Sequence, residues 1–312
     1  MAATPAAPSA SAPIAAPVTY VAGVPAPEQR QFATPEDAVQ ALRAATQAQD
    51  KPTLHAIFGP EGHELVSGDK VEDANASAAF AHELARYCQL SYAGDDKVVL
   101  NIGAQNWPFP IPLVKKDGQW FFDTLAGKEE IINRRVGENE LTAIGVCRTY
   151  VEAQREYAVK DRDGTGVLKY AQHIKSTPGT KDGLYWEPVA GEEQSPYGPL
   201  VADARAEGYG PRKPGEGPQP FHGYLFRILT AQGSHAPGGA YSYVINGNMI
   251  AGFALVAHPV RWDESGVMTF IVNQQGKVYE RNLGPDTEAQ VAAMTKFDPD
   301  AGWTPVEAPA YP

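Results

Sequence analysis

Residues 223–284 are the part of the chain whose sequence most constrains its fold. Short apolar runs, rich in β-branched and aromatic residues, occupy 224–230, 241–245, 249–257, 267–273 and 278–281. Turn residues separate several of these runs, among them Asn246-Gly247 and Gln275-Gly276. Asn-Gly between two apolar runs favours a two-residue hairpin turn. This spacing predicts an antiparallel sheet.

A long helix is predicted before this sheet. Residues 139–159 carry an apolar stripe at helical spacing, formed by Leu141, Ile144, Cys147, Val151 and Ala158. Asn139 is placed to cap the start of this helix. One helix feeding an antiparallel meander predicts a unit over residues 138–284 that is similar in plan to the soluble part of type IV pilins and pseudopilins. The sequence lacks the apolar N-terminal helix with which pilins polymerise, which argues against filament assembly.

A first unit is predicted over residues 32–134. Thr34 stands before Pro35 and three residues before Asp37, an arrangement typical of a capped helix start. Helices are expected from there to about residue 49 and over 74–90, followed by short strands at 97–102, 111–115 and 120–123. Lys116-Asp117-Gly118 predicts a turn between the last two strands. This order is similar to the cone-shaped domains related to nuclear transport factor 2 (NTF2), so the predicted fold class is α+β, with an NTF2-like first unit and a pilin-like second unit.

The two ends of the chain differ in composition from these units. Residues 1–31 are mainly Ala, Pro and Ser, which is typical of a flexible, partly polyproline tether. They contain neither the basic nor the apolar region of a secretory signal, so an exported form would have Met1 in place of a removed signal. Residues 285–312 are predicted to be a C-terminal extension with a short helix at 289–294.

The charge of the chain disfavours some classes of partner. Acidic residues outnumber basic residues by 37 to 26, for a formal net charge of −11, which repels nucleic-acid phosphates and anionic lipid head groups. No apolar run approaches the roughly 18 residues of a membrane-spanning helix. Neither a nucleic-acid partner nor a transmembrane segment is therefore expected.

One turn has part of a calcium-loop pattern. Asp161, Asp163 and Thr165, followed by Gly166, match the opening of an EF-hand loop, but the twelfth position is Gln172, where a bidentate carboxylate is needed. Two readings stay open. Calcium would be held if carboxylates from the following loop (Asp182, Glu187 or Glu192) completed the oxygen shell, and otherwise the turn only ends the helix.

Two aromatic clusters are candidate binding residues. The first contains Trp107 and Phe109, and the second contains Tyr185 and Trp186. Aromatic side chains of this kind stack on sugars or hold partner peptides because they combine apolar area with a polar handle. The alternative is that they close the edge of a core beneath a long loop.

Other reactive side chains show no complete catalytic or metal-binding pattern. The seven histidines lack a metal-ligand spacing. Cys88 and Cys147 are either buried free thiols or a single disulfide. Ser265 lies near His258 and Asp263 in the sequence, but a catalytic triad requires that they meet in space. The sequence names no catalytic residue.

Several long segments resemble one bacterial family. They are EYAVKDRDGTGVLKYAQ, STPGTKDGLYWEP, HGYLFRILTAQG, APGGAYSYVINGNMIAGFALVAHP and SGVMTFIVNQQGKVYERNLG. These segments are similar to the domain-of-unknown-function 2950 family over about residues 32–284. The resemblance implies an exported bacterial protein of the periplasm or cell envelope. The expected partner is a protein or a cell-envelope component. It implies no activity and transfers no catalytic residue.

The sequence therefore favours a non-catalytic binding or assembly module over an enzyme. The alternative is a hydrolase or small-ligand enzyme that uses a pocket of the first unit or the long middle loop over residues 169–220. An enzyme would have a deep cavity with converging titratable groups of perturbed pKa. A binding module would have an exposed apolar patch or an open sheet edge.

Overall fold

The computed structural model describes residues 22–211 and 217–307, and the fold is α+β, as the sequence predicts. Its helices are α1 (Pro35–Gln47), α2 (Lys51–Phe58), α3 (Lys70–Arg86), α4 (Thr124–Tyr157), α5 (Gly198–Ala206) and α6 (Thr287–Ala293), with a 3-10 turn at Pro60–Leu65. Its strands are β1 (Cys88–Tyr92), β2 (Lys97–Ile102), β3 (Trp107–Pro108), β4 (Leu113–Lys116), β5 (Gln119–Phe122), β6 (His173–Lys175), β7 (Gly183–Tyr185), β8 (Tyr224–Leu229), β9 (Ala231–Gln232), β10 (Tyr241–Ser242), β11 (Val244–Ile245), β12 (Asn248–Met249), β13 (Ala254–Pro259), β14 (Met268–Asn273), β15 (Val278–Asn282) and β16 (Thr304–Pro305). Within these ranges, no helix has both the length and the apolar character that crossing a membrane requires.

The first unit is built on an antiparallel sheet in the order β1-β2-β4-β5, with β3 paired to β2. The predicted turn at Asp117-Gly118 is confirmed, since Lys116 pairs with Gln119 and both turn residues have positive φ. The predicted helix cap is also confirmed, because the Thr34 hydroxyl accepts a hydrogen bond from the Asp37 backbone N–H at 3.1 Å. The sheet and α1–α3 enclose one apolar core, whose fully buried members include Leu42, Ile57, Leu84, Leu100 and Phe122.

The second unit is built on an antiparallel sheet, as residues 223–284 predict, but the predicted strand at 241–245 lies outside this sheet, in separate two-stranded pairs with β9 and β12. Its strands lie in the order β16-β15-β14-β13-β8. The central strands β13 and β14 are almost fully buried. Asn246 and Gly247 form the expected two-residue turn, with φ of 49° and 80°, and β11 pairs with β12 around it. Helix α4 packs on this sheet through the buried Cys147, Tyr150 and Val151.

Helix α4 differs from its prediction. It spans 34 residues from Thr124 to Tyr157 instead of beginning at Asn139. Asn139 is not a cap, because its buried side chain donates hydrogen bonds to the Glu72 carboxylate and the Ser265 carbonyl oxygen. The predicted boundary between the units, at residues 134–138, therefore lies inside one continuous helix.

The end of α3 also differs from its prediction. The helix begins at Lys70 with Asp69 as its cap and ends at Arg86, whereas the apolar spacing had predicted residues 74–90. The backbone becomes extended at Tyr87, and residues 88–92 pair with β2 as strand β1. Sheet pairing in the folded state thus outweighs the local helical pattern.

Parts of the predicted tether and of the predicted C-terminal extension pack against the two units. Residues 1–21 and 308–312 of the predicted tether and extension lie outside the described residues. Gln29, at the end of the predicted tether, is buried and its amide nitrogen donates to the carbonyl oxygens of Ile57 (3.0 Å) and Phe122 (2.8 Å). In the extension, α6 buries Val291, and β16 joins the second sheet.

The long middle segment contains more regular structure than its Gly/Pro-rich sequence indicates. Strands β6 and β7 form a parallel pair, and α5 follows them. The residues between α5 and β8 include 212–216, which lie outside the described ranges.

Candidate functional site

The carboxylates of the predicted calcium turn bond to the turn itself. Asp161 accepts hydrogen bonds from the backbone N–H groups of Thr165 (3.2 Å) and Gly166 (2.6 Å). Asp163 accepts one from the Thr165 hydroxyl at 2.9 Å and forms an ion pair with the Lys169 ammonium. The hydrogen bond from Lys169 lowers the pKa of Asp163 to about 2. An ammonium group thus stands beside the carboxylate where a metal ion would bind.

The carboxylates that would complete a calcium shell are also engaged elsewhere. Asp182 bonds to Thr177 and Thr180, Glu187 to Arg205, and Glu192 to Lys181. Across the described residues, no group of three or more His, Cys, Asp or Glu side chains converges as metal ligands would. The geometry therefore favours the helix-ending turn over a calcium site.

The first aromatic cluster closes the edge of the core of the first unit. Phe109 is buried, and its ring packs against Phe58 and Phe80. Trp107 is half-buried, with its ring 5.9 Å from that of Phe109 and the Arg134 guanidinium 5.4 Å from its ring centre. Trp107 is therefore partly exposed, between the Phe109 ring and the Arg134 guanidinium.

The second aromatic cluster is part of the core of the second unit. Tyr185 and Trp186 are both buried. The Arg162 guanidinium lies over the rings of Trp186 and Tyr157, at 5.8 Å and 4.8 Å. The Trp186 indole N–H donates to the Glu193 carbonyl oxygen at 3.1 Å. These contacts favour a packing role over binding for both aromatic residues.

Within the described residues, Ser265, His258 and the two cysteines do not assemble a nucleophilic site. The buried Ser265 hydroxyl exchanges hydrogen bonds with the Arg261 backbone, both at 3.0 Å, and His258 bonds to the Pro259 carbonyl oxygen. Burial lowers the pKa of His258. Cys88 and Cys147 are free thiols and belong to different cores.

A buried polar network joins the two units, and the sequence did not predict it. At its centre is Asp69, which is 1% exposed. One Asp69 oxygen accepts from the N–H groups of Val71 and Glu72 and so caps α3. The other oxygen accepts from the Tyr209 hydroxyl at 2.9 Å and the Gly223 N–H at 3.2 Å. We call Asp69, Glu72, Arg135, Asn139 and Tyr209 the junction network.

The remaining members of the junction network connect α4 to both units. Burial raises the pKa of Glu72, whose carboxylate accepts from Asn139. Arg135 donates to the carbonyl oxygens of Leu65 (2.6 Å) and Glu264 (2.9 Å). Because the sequence predicts that α3 begins at residue 74, it does not identify Asp69 as the cap of this helix. Tyr209 lies in a Gly/Pro-rich segment without a recognisable pattern. A correct prediction of where α3 begins is the one sequence signal that could have identified a member of the junction network.

Two cavities of the first unit differ greatly in size. One small cavity beside Gln29 and Glu61 has a volume of about 10 Å³, room for about one water molecule. A surface groove of about 620 Å³ follows α1, with Ala41, Ala45 and Thr53 in its lining. The space between the first sheet and helices α1–α3 is filled by the side chains of the core.

Exposed apolar side chains occur around the hairpin of β11 and β12. They are Leu168 (58% exposed), Tyr241 (37%), Ile245 (46%) and Ile250 (42%), and we call them the hairpin surface. The hairpin is anchored to residues 169–172, since Lys169 donates to the Asn248 side chain at 3.0 Å and Gln172 to the Gly247 carbonyl oxygen at 2.9 Å. The Tyr170 N–H donates to the Met249 carbonyl oxygen at 2.8 Å. These bonds place Leu168 on the segment that contacts the hairpin.

Comparison with known proteins identifies a family. A family described as "Protein of unknown function (DUF2950)" matches residues 29–306. Neither the curated proteins nor the solved structures contain a match. The NTF2-like and pilin-like descriptions of the two units therefore stay predictions. The family match covers both units, the junction network and the hairpin surface, and the chain accordingly belongs to the DUF2950 family.

Proposed function

We propose that this protein is a non-catalytic binding or assembly module of the bacterial cell envelope, and that it binds a protein partner through the hairpin surface. The observation that carries the proposal is the group of exposed apolar side chains around β11 and β12. Exposed apolar residues that are grouped on one region mark interaction sites more often than residues scattered singly.

The construction of the hairpin supports this role. The hairpin is held by hydrogen bonds from residues 170–172 to its backbone and from Lys169 to the Asn248 side chain, whereas Ile245 and Ile250 face solvent. A preorganised apolar surface loses little conformational freedom when a partner covers it. Polar residues lie beside it, since Asn248 is paired with Ile245 across the hairpin and Gln172 donates to the Gly247 carbonyl oxygen, and polar groups of this kind are typical of an interface rim.

The proposal also includes a fold type for each of the two units. In it, the first unit is an NTF2-like cone and the second is pilin-like. Support for the second comes from α4, which packs across an antiparallel sheet. Both plans are common scaffolds for binding, and the analogy is one of fold only.

The second candidate is a small-ligand enzyme or hydrolase that works at the junction network beneath the long middle segment. The observation in its favour is the convergence of Asp69, Glu72, Arg135 and Tyr209, next to His222, whose ring nitrogen lies 2.7 Å from the Glu207 carboxylate. Against it, Asp69 and Tyr209 are buried and bonded to each other, so a substrate would first have to displace these bonds.

Site-specific photo-crosslinking tests the first proposal. A photoreactive amino acid at Ile245 is expected to give a discrete crosslinked product with an envelope protein, and the same amino acid at Leu141 is the control. Leu141 is 71% exposed and lies on α4. Leu168→Asp combined with Ile250→Asp should abolish the product at 245 without changing the unfolding transition. The same product from both positions, or its survival in the double variant, would contradict the proposal.

A further inference from the structure

The small cavity of the first unit carries a second inference, which is independent of the hairpin surface. Three segments line this cavity: the residues before α1, the 3-10 turn at Pro60–Leu65 and the start of α4. Two of the lining residues are acidic, Glu61 and Asp123, and each is only 6% exposed. Two carboxylates thus lie together, largely shielded from solvent, beside a space of the size of one water molecule.

The Glu61 carboxylate is buried without a partner. Its Oε1 atom is inaccessible to solvent and accepts no hydrogen bond. Within the described ranges, neither Glu61 nor Asp123 forms an ion pair. Asp123 accepts one hydrogen bond, from the Gly23 N–H at 2.8 Å. Since buried charged groups are normally paired or coordinate a metal ion, the cavity lacks a positive charge that its two acidic residues require.

The other polar side chains that line the cavity supply oxygen atoms. The Gln29 amide nitrogen donates two hydrogen bonds to backbone carbonyl oxygens, at 3.0 and 2.8 Å, which leaves its amide oxygen as the end that can act as a ligand. The Thr124 hydroxyl donates its proton to the Phe58 carbonyl oxygen at 2.7 Å, so the lone pairs of the hydroxyl oxygen can still bind a cation. Among the described residues that line the cavity there is no Lys, Arg or His.

We infer that this cavity binds one calcium ion through the carboxylates of Glu61 and Asp123, with the side-chain oxygens of Gln29 and Thr124 as further ligands. One divalent charge balances two carboxylates. The side-chain ligands are all oxygen atoms, which calcium prefers, whereas zinc is bound mainly by nitrogen and sulfur. Magnesium fits less well, because it demands near-ideal octahedral geometry and calcium accepts irregular shells. We call this arrangement the Glu61 site.

The ion at the Glu61 site would join the segment before α1 to the first unit. Gly23 already donates to Asp123, and Val24, Ala26 and Gln29 line the cavity on the same side. Asp123 directly precedes α4, and Glu61 belongs to the 3-10 turn. Bound calcium therefore fastens residues 23–29 to two elements that are distant from them in the sequence.

Calorimetric titration with calcium chloride, after treatment with EDTA and dialysis, tests the inference. The expected result is one ion per chain with a dissociation constant of about 10⁻⁴–10⁻³ M, the weak end of the range for protein calcium sites. Glu61→Gln keeps the shape of the side chain but removes one carboxylate charge. Because affinity depends on the number of charged ligands, this change and Asp123→Asn should each weaken binding at least about tenfold.

Two matched controls each remove a carboxylate from another place. Glu64→Gln changes the same 3-10 turn, at a residue that is paired with Lys128. Asp163→Asn changes the turn that the sequence predicted as a calcium loop. Both variants should bind calcium as the wild type does.

Limited proteolysis gives a readout of the segment before α1. Arg30 is the first basic residue of the chain and is exposed, so trypsin can cleave after it. Calcium should slow this cleavage in the wild type and in Glu64→Gln but not in Glu61→Gln. If Asp123→Asn folds poorly because its contact with Gly23 changes, Glu61→Gln decides alone, since it removes no hydrogen bond to Oε1.

Two results would overturn the inference. The first is the absence of binding at about 10 mM calcium, well above the dissociation constants of such sites, which is the behaviour of a cavity that holds only water. The second is calcium binding that survives in Glu61→Gln, whether or not Asp163→Asn removes it.

Discussion

Replacement of Asp69 by alanine measures how strongly the junction network stabilises the protein. The substitution removes the cap of α3, which costs about 1 kcal/mol. It also leaves the Tyr209 hydroxyl and the Gly223 N–H without an acceptor in a buried setting, and each such loss costs about 1–3 kcal/mol. The expected decrease in the free energy of unfolding is therefore about 3–7 kcal/mol, a large part of the stability of a typical domain.

Thr34→Ala is the matched control for this experiment. Thr34 caps α1 by the same kind of bond but, among the described residues, its side chain bonds only to the Asp37 N–H, so its replacement should cost about 1 kcal/mol. Asp69→Asn should fall between the two, because asparagine also caps a helix but offers its amide nitrogen to the Gly223 N–H. Urea unfolding followed by tryptophan fluorescence measures all three. A cost for Asp69→Ala no larger than that of Thr34→Ala would refute the stabilising role of the junction.

Further predictions concern one ion pair, two glycines and one thiol. Lys169→Met should return the pKa of Asp163 from about 2 toward its ordinary 3.8, and carboxyl NMR titration measures this pKa. The variant should also lose a small stabilisation, which the wild type has above pH 3.8 and loses as the pH falls toward 2. Gly127→Ala should strongly destabilise the protein, because a Cβ atom there would lie 2.3 Å from the Pro110 carbonyl oxygen. Gly145→Ala in the same helix is the control, because a Cβ atom there has no neighbour within 4 Å. It should stabilise the protein by up to about 1 kcal/mol, and thermal melts compare the two variants. Cys147 is fully buried with its pKa raised to about 12, so iodoacetamide should label it only after unfolding, as mass spectrometry can show; labelling of the folded protein would contradict its burial.

Local signals in the sequence are sufficient to predict the turns and the start of one helix. Asn246-Gly247 forms its hairpin turn because these two residues tolerate positive φ at low cost. Thr34 caps α1 because its hydroxyl reaches the N–H three residues ahead. These outcomes depend on a few neighbouring residues, so they follow from the sequence directly.

Interactions between distant residues explain where the predictions were wrong. Residues 88–90 have a helical pattern but join β2 as a strand, because pairing with residues 100–102 satisfies their backbone groups. Asn139 has the side chain of a helix cap but lies in the middle of α4, where Glu72 and Ser265 supply its partners.

The candidate sites follow the same division. The sequence alone determined the α+β class, the antiparallel character of the second sheet and the presence of aromatic and acidic clusters, since each depends on local periodicity or composition. Only the tertiary structure decided that Tyr185 and Trp186 are buried, that Lys169 pairs with Asp163, and that Asp69 meets Tyr209 from 140 residues away. Burial and long-range hydrogen bonds depend on which segments pack together, and no local pattern of residues specifies that.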